Sequence, residues 1–193
     1  VNNIDLPVRV RRKGKVSRLR KHRRCYGESI DGRPLEGESR ETVGHLEIDP
    51  VIGSADSSEV LLTLDERMTR KRHIVKLPAK TAKAVEEGLK QLRKEYGKTW
   101  PKVFRTITCD NGSEFASLPE LFTDTKIYYA HPYSAWERGT NEKQNSLIRR
   151  FFPKGKSFTS VSEETISLVE DWINNLPRKF LHYLSPDEVF RSV

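Results

Sequence analysis

The sequence predicts an α/β fold, with a mixed five-stranded sheet flanked by helices. Three β-rich runs come first, separated by polar, turn-prone stretches, and suggest an antiparallel meander. A long amphipathic helix follows them. A strand, a helix, a further strand and two closing helices come next, which is the element order of a layered α/β domain.

Residues 1–42 are expected to be a basic, largely irregular arm and linker. Gly14, Gly27, Gly32, Pro34 and Gly37 interrupt any periodicity there, and apolar residues are sparse. The folded core is expected over 43–193. Val43 to Gly53, Val60 to Leu64 and His73 to Leu77 are the first three strands, and the link from Asp65 to Lys71 suits a hairpin. Thr81 to Gly97 is the clearest helix: Ala82, Val85, Leu89, Leu92 and Tyr96 recur every three or four positions. Thr81 can cap its start and Gly97 suits its end. Val103 to Cys109 alternates as a strand that runs into Asp110, Ser113 to Phe122 is a short helix, and Lys126 to Ala130 is the fifth strand. Two helices close the core, Asn141 to Phe152 and Ser162 to Leu176. Ile166, Val169, Trp172 and Ile173 form the inner face of the second, and Pro153 and Pro177 stop them.

Apolar residues make up 35% of the chain and charged residues 32%, enough for a core inside a well-solvated surface. No run of apolar residues is long enough to span a membrane. Without the apolar stretch of a secretory signal, a cytoplasmic, nucleoid-associated location is expected. Cys25 and Cys109 are too few and too far apart for a zinc cluster or a disulfide framework, and Cys109 reads as a small buried filler. The net charge of +8 is uneven: residues 1–24 hold ten Lys or Arg against one acid, Asp5, so the arm is +9 and the rest −1. A polyanion is the partner such an arm suits, because each phosphate neutralised releases counterions. Arg11, Arg12, Lys13, Arg18, Arg20, Lys21, Arg23 and Arg24 are therefore candidate DNA contacts. A merely solubilising tail is the alternative.

Three carboxylates stand in distinctive settings: Asp49 in His45-Leu46-Glu47-Ile48-Asp49, Asp110 in Cys109-Asp110-Asn111-Gly112, and Glu142 in Gly139-Thr140-Asn141-Glu142. Each has a plain explanation alone. Asp49 and Glu47, which point the same way on a strand, could be an edge-strand pair, though Pro50 marks a strand end, edge or bulge. Asp110 could belong to a turn, yet that turn also lies at the carboxyl edge of a sheet, where open α/β folds bind ligands. Glu142 could cap its helix, but Asn145, Ser146 and Arg149 share its face. Delivered to one spot, the three would hold divalent cations on oxygen ligands, which suits Mg²⁺, or Mn²⁺ in its place. Glu114 is a weaker candidate that could instead bond the amides of its own helix start. The loop from Ala130 to Thr140 is aromatic and basic. Tyr133 or Trp136 could stack on bases with Arg138 beside them, while Trp136 could equally cover the core. His131 is a second-tier ligand or acid–base candidate.

Gly44-His45-x-Glu47-x-Asp49, Ile107-Thr108-Cys109-Asp110-Asn111-Gly112-x-Glu114-Phe115, Pro132-Tyr133-Ser134-x-Trp136-x-Arg138-Gly139-Thr140-Asn141-Glu142 and Phe152-Pro153-Lys154-Gly155 resemble, in that order, the insertion-sequence-30 family of bacterial transposases. Pro177-Arg178-Lys179 and Ser185-Pro186-Asp187-Glu188-Val189-Phe190 fit the same family, and the resemblance covers about residues 4–191. It implies a ribonuclease-H-like, integrase-type catalytic core over 43–193, with Asp49, Asp110 and Glu142 as a DDE triad binding two Mg²⁺ ions. It also implies cleavage at transposon 3′ ends and strand transfer into double-stranded target DNA by a multimer assembled on DNA. Arg149 would correspond to a basic residue used against DNA ends. Leu46 and His131 stand where the family usually has tryptophan and aspartate, and Pro50 replaces a more ordinary strand residue. The family carries a helix-turn-helix region ahead of its core, and no segment here reads as one, so a catalytic fragment or a shortened product is expected. A catalytically silent DNA-binding regulator and a nuclease of the same fold are the alternative functions.

Overall fold

The structure, a computed structural model, describes residues 25–132, 134, 137 and 139–193, without the side chains of 139–143. Its elements are β1 (Glu28–Ser29), α1 (Leu35–Ser39), β2 (His45–Ile52), β3 (Val60–Glu66), β4 (Arg72–Leu77), α2 (Ala82–Tyr96), α3 (Trp100–Val103), β5 (Thr106–Cys109), α4 (Leu118–Leu121), β6 (Lys126–Tyr129), α5 (Gly139–Phe151), α6 (Glu163–Asn175) and α7 (Pro186–Arg191). They form one mixed sheet in the order β1-β6-β5-β2-β3-β4. The antiparallel meander β2-β3-β4 makes one half, and parallel pairing of β2, β5, β6 and β1 makes the other.

The expected sheet is thus present with a sixth, two-residue edge strand. Residues 28–39, assigned in sequence to the arm and linker, carry β1, a 3-10 turn at Ile30–Gly32 and α1. The predicted helix over Ser113 to Phe122 is divided into a 3-10 turn, Ser113–Phe115, and α4. Its proline, Pro119, lies at the start of α4, where the missing N–H costs nothing. The strand predicted from Val103 begins only at Thr106, because α3 ends at Val103 and Phe104 caps it.

Alternation along β2 and β3 divides the interior into two layers. Leu46 and Ile48, with Val60, Leu62 and Leu64, join Val85, Leu89, Leu92, Trp100, Phe104 and Phe122 on the α2 side. Thr81 caps α2 by accepting from the Ala84 amide, and Gly97 ends it with φ of 51°. At Gly88 the helix runs so close to the sheet that a Cβ would meet Leu77 Cδ2 at 2.7 Å.

On the opposite side Val51, Leu61 and Ile74 pack with Ile148 of α5 and with Ile166, Val169 and Ile173 of α6. Trp172, expected on that inner face, instead stays 39% exposed and packs edge-on against Phe151. Three residues on from Val169, it falls at the margin of the stripe, where a large ring covers the seam between α5 and α6 without entering it. This second layer is apolar only at the Val51–Leu61 end. At the other end the same faces of β2 and β3 carry Glu47, Asp49, Thr63 and Asp65, and there the candidate site lies.

Candidate catalytic site

Parallel pairing of β2 with β5 leads toward Asp49 on one strand and Asp110 beyond the other. β2 and β5 pair in parallel as His45↔Thr106, Leu46↔Ile107 and Glu47↔Thr108. Asp49, still within β2, and Asp110, beyond the end of β5, each stand two residues past the last pair of these strands, which are spaced about 4.8 Å apart. Asp110 lies just past the end of β5, as expected for a carboxylate at the sheet's carboxyl edge, and its Oδ1 accepts the Gly112 amide at 2.9 Å. The turn and the candidate site are therefore one structure. Asn111 behind it is buried and donates to the Ala130 carbonyl at 2.7 Å, which ties the turn to the end of β6. Pro50 follows Asp49 beyond the last β5 pair, so its missing N–H breaks no rung with that strand.

The α5 helix lies across β2 and β3. Asn145 donates from Nδ2 to Asp49 Oδ2 at 3.0 Å, while its Oδ1 accepts from Arg72 Nη2 at 3.0 Å. Arg72 in turn grips Asp65 with Nε–Oδ1 at 2.6 Å and Nη2–Oδ2 at 2.5 Å, both side chains being fully buried. A continuous chain, Asp65–Arg72–Asn145–Asp49, thus sets the amide so that its donor faces the candidate carboxylate. Burial pushes the Asp65 carboxyl up, and the guanidinium of Arg72 pulls it back. Glu142 stands on α5 three positions before Asn145. Its side chain lies outside the described residues. Among the described residues no three His, Cys, Asp or Glu side chains converge as a metal site.

The supporting acids take defined partners. Glu47, 1% exposed, lies 3.3 Å from Arg67 Nε. Glu114 is buried with Oε1 3.0 Å from Lys80 Nζ, so its partner is a lysine before α2 and not the start of its own helix. His131 bridges two acids, Glu137 through Nδ1 at 2.8 Å and Asp31 through Nε2 at 3.1 Å, and its backbone N–H also donates to Glu137. The hydrogen bond and charge of Glu137, then the charge of Asp31, raise the His131 pKa. Cys109 is fully buried, as expected of a filler. Arg149 donates to the Ile52 carbonyl at 2.8 Å and more weakly to Phe152 at 3.5 Å, so these contacts go to the chain's own backbone. The candidate DNA contacts Arg11, Arg12, Lys13, Arg18, Arg20, Lys21, Arg23, Arg24, Tyr133, Trp136 and Arg138 lie outside the described residues.

Sequence reasoning missed Asp65, Arg72 and the arginines Arg33 and Arg67. Only Asp65 carried a local signal: an unbroken strand from Val60 puts it on the Thr63 face, opposite Glu47.

No protein-family model matches the chain. It is 41% identical over 167 residues to the transposase for insertion sequence element IS4351 of Bacteroides fragilis, covering 85% of this chain and 49% of that protein. It is 39% identical over 191 residues to the probable transposase for insertion-like sequence element IS1161 of Streptococcus salivarius, covering 97% and 53%. Transposase InsI for insertion sequence element IS30A of Escherichia coli is 33% identical over 165 residues, covering 84% and 42%. The chain therefore spans about half the length of the curated relatives it matches. Among solved structures it resembles a chain of the simian T-cell lymphotropic virus intasome with a TM-score of 0.54 and 17% identity, covering 70% of this chain and 49% of that one. That likeness is one of fold, and it makes the mixed sheet flanked by helices ribonuclease-H-like. Over the part of those proteins that it spans, the chain is similar to insertion-sequence transposases, those of the IS30 elements among them.

Proposed function

We propose that this chain is the catalytic core of a DDE transposase that cleaves double-stranded DNA at the 3′ ends of an insertion element and joins those ends to target DNA. The observation that supports the proposal is the parallel pairing of β2 with β5, two residues short of Asp49 and Asp110, with α5 lying over β2 and carrying position 142 three residues before Asn145, which bonds Asp49. All three are hard oxygen donors, which fits Mg²⁺ or Mn²⁺ held between them. Two such ions, when bound, supply activation of an attacking water or 3′-hydroxyl and stabilisation of the leaving oxygen.

The chain's own residues supply rigidity and orientation. Asn145 holds Asp49 in place, Arg72 holds Asn145, and the Asx turn to Gly112 holds Asp110. Strand ends and buried pairs move little, so Asp49 and Asp110 are preorganised before a scissile phosphate arrives. The basic residues of 1–24, with Tyr133, Trp136 and Arg138, would carry the DNA backbone and bases. Synapsis of two ends would require a multimer, and the setting would be cytoplasmic, at the nucleoid. Among the described residues no helix is long and apolar enough to cross a membrane.

The test is cleavage and strand transfer of a labelled candidate element end in Mn²⁺, for wild type and for Asp49→Ala, Asp110→Ala and Glu142→Ala. Each variant is expected to fall to background while retaining DNA binding. Full activity in any one variant removes that residue from the site. Cleavage without transfer by wild type would identify a nuclease, and binding without either would identify a regulator.

A further inference from the structure

A cavity of about 450 Å³ opens beside the candidate site, and arginines line it. Arg33 and Arg67 form its buried wall, with side chains only 3% and 4% exposed, and Arg40 stands at its exposed rim. Arg33 follows the 3-10 turn after β1 and donates to Thr108 Oγ1 at 3.3 Å, two residues before Asp110. Arg67 lies at the end of β3 beside Glu47, two residues before Asp49. Both guanidinium groups therefore stand along the two strands that carry the candidate carboxylates.

These buried arginines are under-used. Among the described residues, Arg33 Nε and Arg67 Nε and Nη1 have no hydrogen-bond partner, although Arg67 lies within ion-pair distance of Glu47 and Glu38. Burial depresses the Arg67 pKa, and the neighbouring positive charge of Arg33 depresses it further. An arrangement that holds two cations together in a dry wall calls for a shared anion.

Here that anion is Glu38. Its carboxylate bonds Arg33 and reaches Arg67 at 3.7 Å. The other acids of the cavity are committed elsewhere: Glu47 faces Arg67 from a fully buried position, and Asp31 and Glu137 are tied to His131. Glu38 alone is both bridging and open, its side chain 61% exposed. The helix that presents it is weakly fixed. α1 has five residues, no side-chain cap at its start, Arg40 in the left-handed region at φ of 63° at its end, and Leu35 84% exposed.

We propose that Arg33, Arg67 and Arg40 form a subsite for one backbone phosphate of the DNA strand that passes Asp49 and Asp110, a position that Glu38 holds in this structure. The carboxylate is an internal stand-in for the phosphate, and DNA displaces it together with α1. A phosphate takes its place because it offers three acceptor oxygens to a wall of fork-shaped donors. The inference rests on the proposed action on DNA and names the groups that hold the strand.

The test measures binding of the full chain to a labelled random-sequence duplex in EDTA, where metal and cleavage play no part. Glu38→Gln removes the competitor, and Glu36→Gln removes an exposed charge from the same helix as a control for overall electrostatics. Glu38→Gln is expected to bind about tenfold more tightly than Glu36→Gln. Arg67→Gln is expected to reduce the slope of log affinity against log salt by about 0.9, the contribution of one phosphate. Arg40→Ala, at an exposed position, repeats the weakening should Arg67→Gln fail to fold. Equal affinities for Glu38→Gln and Glu36→Gln overturn the subsite and leave the proposed function standing, whereas absence of DNA binding by wild type overturns both. If inorganic phosphate at matched ionic strength stabilises Glu38→Gln while duplex affinity stays unchanged, the site serves a free anion and the DNA subsite is refuted.

Discussion

Replacing Arg72 with methionine should cost this fold more than any exposed substitution, for a reason visible in one contact. Arg72 and Asp65 are both fully buried and joined by two short hydrogen bonds. Methionine fills much of the arginine's volume but leaves the Asp65 carboxylate dry and unpaired. Breaking one side of such a pair costs about 3–5 kcal/mol. For a chain of this size each kcal/mol lowers the melting temperature by roughly 2–4 °C, so a fall of about 6–20 °C is expected.

The pH dependence follows from the remaining carboxyl. Burial already raises its pKa, and loss of the guanidinium removes the main opposing influence. A folded-state pKa above the unfolded value near 3.9 means that the neutral acid is tolerated below about pH 4 and that stability is lost as pH rises through the folded pKa. The gap between wild type and Arg72→Met should therefore widen from pH 4 toward pH 7. Replacing both partners, as Asp65→Leu with Arg72→Met, should recover most of the loss, because two apolar groups leave no buried charge. A residue of about 1–2 kcal/mol is expected to persist, since Asn145 Oδ1 loses its donor. Urea denaturation followed by tryptophan fluorescence at several pH values measures all of this. A loss under about 1 kcal/mol for the single variant, or a double variant no better than the single, would refute the account.

Two further outcomes are expected. Asn174 is buried and holds β4 by bonding both the amide and the carbonyl of Arg72 at 2.8 Å, so Asn174→Leu should cost roughly 2–5 kcal/mol through two stranded backbone groups; hydrogen exchange at the Arg72 amide should accelerate with it, and unchanged exchange would contradict that role. The His131 bridge to Glu137 and Asp31 should be present below the ordinary histidine pKa and weaken as pH rises through the raised one. An NMR titration should find the His131 midpoint above 6.5 in wild type and lowered toward it in Glu137→Gln, and equal midpoints would remove Glu137 as the cause.

Local physics explains which elements were legible. The meander could be traced because its runs are β-rich and bounded by polar, turn-prone stretches, and α2 because its apolar spacing, Thr81 cap and Gly97 stop agree with one another. β1 has only two residues, too few for any period, and exists because β6 offers a parallel edge for Glu28 and Ser29. Trp172 shows the limit of spacing: at the margin of a helical stripe, the size of the neighbouring gap decides burial, and Phe151 rather than the core receives the ring.

The sequence alone determined the three candidate carboxylates, the order of the elements that bear them and the resemblance to insertion-sequence transposases, because motifs and periodicity are properties of neighbouring residues. Only the tertiary structure decided that the strands leading to Asp49 and Asp110 pair in parallel, that Asn145 reaches Asp49, and that Arg72 pairs with Asp65 behind it. It also decided that Arg33 and Arg67 meet over Glu38. Register and burial depend on strands and helices tens of residues apart, and the sign of a charge says nothing about which opposite charge it will find once water is excluded.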